Sequence, residues 1–204
     1  MKLKSIALVV AAALSSASAF ADPALPTLQN TSFEMTTVGT GYAYGNVATG
    51  WSITGSGAVS SNGTAWHGTT TTGTHFGVLQ NISKISQTFT SGIQADYTFT
   101  FDLALRPSPY DPGQAVAVKF DGQLLGTYSP TTTWSTQSVS ALNVAAGTHT
   151  LEFAGTNPLN KADTSAFLDN VKMTVTPVPE PEAYAMLLAG LGIIGAVARR
   201  RKQQ

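Results

Sequence analysis

The chain has 204 residues, with eleven basic and eleven acidic side chains, no cysteine, and charged residues making up only 11%. The neutral balance is uneven, because Lys2, Lys4, Arg199, Arg200, Arg201 and Lys202 all sit near the two ends. Between Asp22 and Pro177 five basic residues (Lys84, Arg106, Lys119, Lys161, Lys172) face nine acidic ones, which argues against binding nucleic acid or an anionic membrane through a basic stripe.

In chain order, Lys2 and Lys4 form a positive start, Ile6 to Leu14 an apolar run, and Ala19-Phe20-Ala21 a small-residue cleavage site. Residues 1–21 read as a signal peptide, and the exported chain as starting at Asp22. Export permits disulfides, but none can form, so stability must come from a packed core or a bound metal.

Residues 22–177, about 155 in all, suffice for one domain with a core. Short apolar stretches separated by Gly, Ser, Thr and Asn predict strands at Leu28–Phe33, Gly50–Gly55, His75–Leu79 and Ile82–Phe89, with a polar stretch over Ser56–Thr74. Tyr97, Phe99, Phe101, Leu103 and Leu105 alternate with smaller or polar residues, the clearest period of two in the chain. Arg106–Gly113 holds three prolines and is a loop. Val116–Phe120, Asp121-Gly122 and Leu124–Tyr128 predict a hairpin, followed by strands at Ser135–Val144, Thr148–Ala154 and Ala166–Val175. No sustained helical period occurs in this region. About ten short strands predict an all-β fold, an antiparallel β-sandwich of jelly-roll type.

Residues 178–204 are of another kind. A Pro-Glu-Pro segment (178–182) reads as an extended spacer. An uncharged run with three glycines follows (183–198), then a basic end (199–204). The run predicts a short transmembrane helix of about 24 Å, less than the roughly 30 Å hydrocarbon core. An ordinary membrane anchor is one reading. Val178-Pro179-Glu180-Pro181, the run with Gly190, Gly192 and Gly195, and Arg199-Arg200-Arg201-Lys202 together resemble the PEP-CTERM sorting tail of Gram-negative bacteria. The resemblance implies that Pro179, Glu180, Pro181, Arg199, Arg200 and Arg201 form a sorting signal. An exosortase would cut near it, after transient residence in the inner membrane through the helix. The chain would then pass to the cell surface or exopolysaccharide matrix.

A second resemblance covers most of the domain. Asn30-Thr31-Ser32-Phe33-Glu34, Gly50-Trp51, Gln87-Thr88-Phe89, Tyr97-Thr98-Phe99-Thr100-Phe101 and Phe167-Leu168-Asp169-Asn170-Val171 are similar to the galactose-binding-like jelly rolls, including DUF642 domains and certain carbohydrate-binding modules. It implies a polysaccharide ligand and a structural calcium held by Glu34 and Asp169, for which Asp169-Asn170 adds oxygen donors. The other reading of those two acids is exposed strand-end charge. Asp111, Asp121 and Asp163 read as turn residues.

A sugar needs an aromatic face flanked by hydrogen-bonding groups. Trp51 and Trp134 lie in strand contexts and are expected to be buried. Trp66 beside His67, in a polar loop, is the first candidate platform. Tyr110 with Arg106 is the second, and Tyr42 with Tyr44 the third. For each, plain loop packing is the alternative. An enzyme is not expected: His67, His75 and His149 lack metal-ligand spacing, no nucleophile elbow is present, and nothing pairs Glu34 with Glu152 as glycosidase carboxylates. His149 is expected to be solvated. The threonine runs Thr69–Thr72 and Thr131–Thr133 are too short and contiguous for an ice-binding array. The expectation is an exported, non-enzymatic jelly roll that binds or organises exopolysaccharide, or else a purely structural matrix protein without a sugar site.

Overall fold

Four side chains of one strand organise the core. Tyr97, Phe99, Phe101 and Leu103 alternate along β6 (Ala95–Leu105) and are all fully buried. In the computed structural model, which describes residues 24–110, 113–179 and 181–201, they face a second sheet. The expected signal peptide, Asp111 and Glu180 lie outside the described residues. The remaining strands are β1 (Tyr42–Tyr44), β2 (Ser52–Thr54), β3 (Gly57–Ser61), β4 (His75–Gln80), β5 (Lys84–Ser91), β7 (Val116–Phe120), β8 (Gln123–Tyr128), β9 (Ser135–Val144), β10 (Gly147–Gly155) and β11 (Ser165–Pro177), followed by α1 (Pro181–Arg201).

Six strands form one sheet in the order β1-β3-β4-β11-β6-β9, and five form the other in the order β2-β5-β10-β7-β8. Neighbouring strands pair antiparallel throughout. The inner faces interdigitate: Phe101 meets Phe153 at 5.0 Å and Phe99 meets Phe120 at 5.4 Å between ring centroids. This is the expected antiparallel sandwich. The predicted hairpin turns at Asp121-Gly122, whose φ values of 50° and 81° suit its two-residue loop.

Three expectations change. Leu28–Phe33 forms no strand, because Asn30 and Phe33 take φ of 48° and 59° and turn the chain, while the Asn30 amide is spent on the Met35 and Thr49 carbonyls. The polar stretch 56–74 contains β3, buried along its whole length between layers on both faces. His149 is buried rather than solvated: its Nδ1 lies 2.8 Å from Asp121 Oδ2, its Nε2 lies 3.0 Å from the Ala145 carbonyl, and its ring stacks on Phe120. Asp121 is therefore more than a turn former.

A second apolar cluster lies on the outer face of the six-stranded sheet. Ala58, Phe76, Val78, Ala104 and Phe167 are covered there by the 62–74 loop, through Trp66, and by Trp134. The loop backbone runs so close that a Cβ at Gly68 would lie 2.6 Å from Phe76 and 2.8 Å from Phe167. Both clusters and the residues packed on them come from residues 28–175, so the domain carries its own core.

The strand register sorts the connections. The loops 81–83, 129–134 and 156–164 lie at one end of the sandwich, with the described residues 106–110 and 113–115. The turns 92–94, 121–122 and 145–146 lie at the other, where β11 ends at Pro177 and the Val178 amide bonds the Gln94 carbonyl at 3.0 Å.

The tail departs from expectation at both ends of its helix. Pro181 opens α1 instead of ending a spacer, since a proline's fixed φ and missing N–H suit a first helical position. The helix also takes in Arg199, Arg200 and Arg201, whose charge complements the C-terminal end of the helix dipole. Among the described residues no helix is long and apolar enough to cross a membrane, so the predicted transmembrane span is not found. The uncharged stretch is simply shorter than the helix containing it.

Candidate functional site

The three candidate aromatic pairs, far apart in sequence, meet at one place. Arg106 follows β6, its amide bonded to the Ser165 carbonyl at 3.0 Å, and its side chain is buried. Nη1 donates to Asp163 Oδ2 at 2.9 Å and Nη2 to the Ala65 carbonyl at 2.8 Å. The guanidinium carbon lies 3.3 Å from the Tyr110 ring centroid and 4.5 Å from that of Trp66, a double cation–π contact. Asp163 Oδ1 accepts from Gln80 Nε2 at 2.5 Å, and the Tyr44 hydroxyl donates to Gln80 Oε1 at 3.2 Å. Burial raises the Tyr44 phenol above its ordinary range, which keeps it a donor. Tyr42 and Tyr44 meet the Trp66 ring edge-on at 5.9 and 6.2 Å, and the His67 ring lies 5.6 Å from that of Tyr110.

Trp66 is the correction within this group. Its ring is 3% exposed, because it fills the space over Ala58, Val78 and Ala104 that a sheet face lined with small residues leaves open. It is the floor of the cluster and not a platform. The accessible aromatic surface belongs to Tyr42 and Tyr44, 45% and 50% exposed, with His67 exposed and Tyr110 partly so. Trp51 is buried as expected, its Nε1 donating to the Asn30 carbonyl, while Trp134 is only partly buried. Trp66 Nε1, Arg106 Nε and Ser165 Oγ are buried without a protein partner, which leaves hydrogen-bonding capacity at or beside the cluster.

Sequence reasoning missed Asp163 and Gln80. Asp163 looks like a turn residue in a polar loop, and only the fold shows that this loop closes over Arg106. The sole available hint is that Arg106 is one of very few cations in the domain.

Glu34 and Asp169 are anchored by the same stretch, Thr70–His75, but each separately. Glu34 Oε1 accepts from the Thr74 and His75 amides at 2.7 and 2.8 Å, and Oε2 lies 2.9 Å from Thr74 Oγ1 and 3.1 Å from His75 Nδ1. Burial works to raise the Glu34 pKa, but the hydrogen bonds from His75 and Thr74 outweigh it and hold the carboxyl below its usual value. Asp169 is fully buried and accepts from Thr70 Oγ1 and, at 2.7 Å, from the Asn170 amide. Burial pushes it up to about 6. Across the ladder it pairs with Asp102, also buried, which accepts from Thr136, Thr71 and the Asn170 side chain. No basic side chain pairs with either acid among the described residues. Carboxylate oxygens are the ligands a hard cation takes, yet no group of three or more acids or histidines forms a ready metal cluster among the described residues. The Thr69–Thr72 run caps these carboxylates and does not form a flat array. Glu152 pairs with Lys84 and Lys119 on the five-stranded sheet, apart from Glu34.

Residues 177–202 match the PEP-CTERM protein-sorting motif. The chain thus carries a tail that implies export, exosortase processing and surface sorting. No curated protein matches the chain. Among solved structures the domain is similar to TmCBM61 in complex with β-1,4-galactotriose, with TM-score 0.54 and 14% identity, covering 72% of this chain and 96% of that one. It is also similar to the CBM22-1 xylan-binding domain of Paenibacillus barcinonensis Xyn10C, with TM-score 0.52 and 13% identity, covering 78% and 100%. At these identities the likeness shows the jelly-roll fold of carbohydrate-binding modules.

Proposed function

We propose that this chain is an exported, exosortase-processed surface or matrix protein whose jelly roll binds polysaccharide, without catalysis, at the cluster around Arg106. The carrying observation is the convergence of Tyr42, Tyr44, His67 and Tyr110 on the Arg106–Asp163 pair. Exposed tyrosine rings offer apolar faces to a sugar, and the hydroxyls, His67 and the exposed edge of Asp163 offer partners for its rim. Two similar folds support the ligand class: one is described with a bound galactotriose and the other as xylan-binding.

Calcium belongs to the same proposal. The residues that would hold it are Asp169, with Asp102 across the ladder from it, and Glu34, which is bound separately to Thr74 and His75. The ion would supply the positive charge that the buried Asp169 and Asp102 carboxylates lack.

The test is binding of residues 22–177 to a glycan array and to the host's exopolysaccharide, with a Tyr42→Ala/Tyr44→Ala variant alongside. Binding that falls at least tenfold in the variant supports the site. Binding that is absent, or indifferent to the tyrosines, overturns it. A second reading, a structural matrix protein, is favoured by the burial of Trp51 and Trp66, and absence of all glycan binding would leave it as the remaining reading.

A further inference from the structure

The two halves of β11 are held differently. Its first residues, Ser165–Leu168, lie between β4 and β6, and residues 165–169 are all buried. A register shift follows between Asp169 and Lys172, with Asn170 at a φ of 52°. Val171 locks this half in place: it is fully buried, and its amide donates to the Thr31 carbonyl at 2.8 Å. Beyond it, Lys172–Pro177 pairs with β6 alone among the described residues. None of the side chains there is buried, and only Met173 and Val175 pack in part against the main core. A stretch held along one edge, set off by a bulge and poor in buried contacts is what opens first when a domain opens locally.

The sorting motif starts on this stretch. Of the matched residues 177–202, Pro177 sits opposite Ala95 on β6, and the Val178 amide donates to the Gln94 carbonyl at 3.0 Å. The motif therefore begins as part of a folded sheet. An enzyme that takes a peptide as an extended strand needs backbone groups that β6 is already using here. We propose that Lys172–Val178 is a detachable strap. Docked on β6, it withholds the motif from the exosortase; peeled back as far as the bulge, it presents the motif as an extended chain. The Val171 anchor stops the peeling, so the core and the cluster around Arg106 stay folded. Residues 172–178, once released, would span about 23 Å. The inference rests on the tail's being cut by an exosortase and not on the binding of any glycan.

The absence of cysteine makes the test clean in the full chain, followed from precursor to cut product in cells that carry the exosortase. Asp96 and Thr176 face each other across β6 and β11. In Asp96→Cys/Thr176→Cys the oxidised pair should slow cutting about tenfold or more, by holding the strap shut. Reductant should restore the rate, which separates the clamp from the loss of the Asp96 bond to the Asn143 amide. Oxidised Thr88→Cys/Thr150→Cys, an outward pair on β5 and β10, should be cut like the wild type. A flexible glycine-serine spacer between Val178 and Pro179 should remove the effect of the clamp, because the enzyme then has an extended chain without the strap. A clamped chain cut at the wild-type rate, slowed equally with the spacer, or slowed no more than the Thr88–Thr150 pair would overturn the strap alone. A wild type that is never cut would overturn the exosortase reading and the strap with it.

Discussion

Arg106 and Asp163 stand 57 residues apart in the chain and meet at 2.9 Å, the cation buried and the acid at the surface. The pair closes the 156–164 loop onto the start of the 106–115 loop. Asp163→Ala leaves a buried guanidinium with one fewer acceptor, and we expect a loss of about 2 kcal/mol in urea unfolding, with Asp163→Asn losing less. An Asp163→Ala protein as stable as the wild type would show that the pair is dispensable.

The tyrosines and the tryptophan of the cluster separate binding from stability. Tyr42→Ala and Tyr44→Ala should cost under about 1 kcal/mol each, since both rings are half exposed, while weakening glycan binding. Trp66→Ala should cost about 3–5 kcal/mol, because it opens a cavity over the outer face. A binding defect in Trp66→Ala alone would therefore report unfolding of the loop, and melting curves must accompany it.

Asp169 gives the domain a pH dependence of definite sign. Its folded-state pKa, about 6, lies above the ordinary 3.8, so the folded state holds its proton more tightly. The stability from this group is full below about pH 4 and is lost as pH rises through about 6. Glu34 acts oppositely: its pKa lies below 4.5, and its contribution, present above that value, is lost on acidification through the lower one. Melting temperatures of Asp169→Asn and Glu34→Gln between pH 3 and 7 should separate the two.

Calcium bears on the same slope. If it binds at Asp169, adding it at pH 7 should raise the melting temperature of the wild type and leave Asp169→Asn unchanged. Identical melts in calcium and in chelator would remove the metal from the proposal.

Gly68→Ala should loosen the 62–74 loop, since the new methyl would run into the Phe76 and Phe167 rings. A loss of about 1–3 kcal/mol is expected, read by thermal unfolding and by faster proteolysis within the loop.

The parts of the fold legible in the sequence are those governed by local pattern. Alternation fixed β6, Asp121-Gly122 fixed its hairpin, and β9 has the expected bounds because turn residues flank it. β3 was hidden: a strand buried on both faces carries no alternation, and Gly57-Ala58-Val59-Ser60-Ser61 looks like a loop. The aromatic residues of the site were visible one pair at a time. Their meeting was not, because it depends on the 62–74 loop folding back across a sheet, and the same event buries Trp66. Asp102 was masked by its place among the polar positions of β6, where only the cover of that loop takes it out of water.

β11 runs the length of the sandwich, thirteen residues or about 43 Å, from the loops around Arg106 to the point where the tail leaves. Tyr44 lies level with Phe167 near the start of β11, so a chain held by its tail would carry the cluster around Arg106 in the half of the sandwich away from that root. Cleavage at the tail would remove nothing from that cluster. The domain is laid out like a bristle, with its tail at one end and its aromatic cluster toward the other.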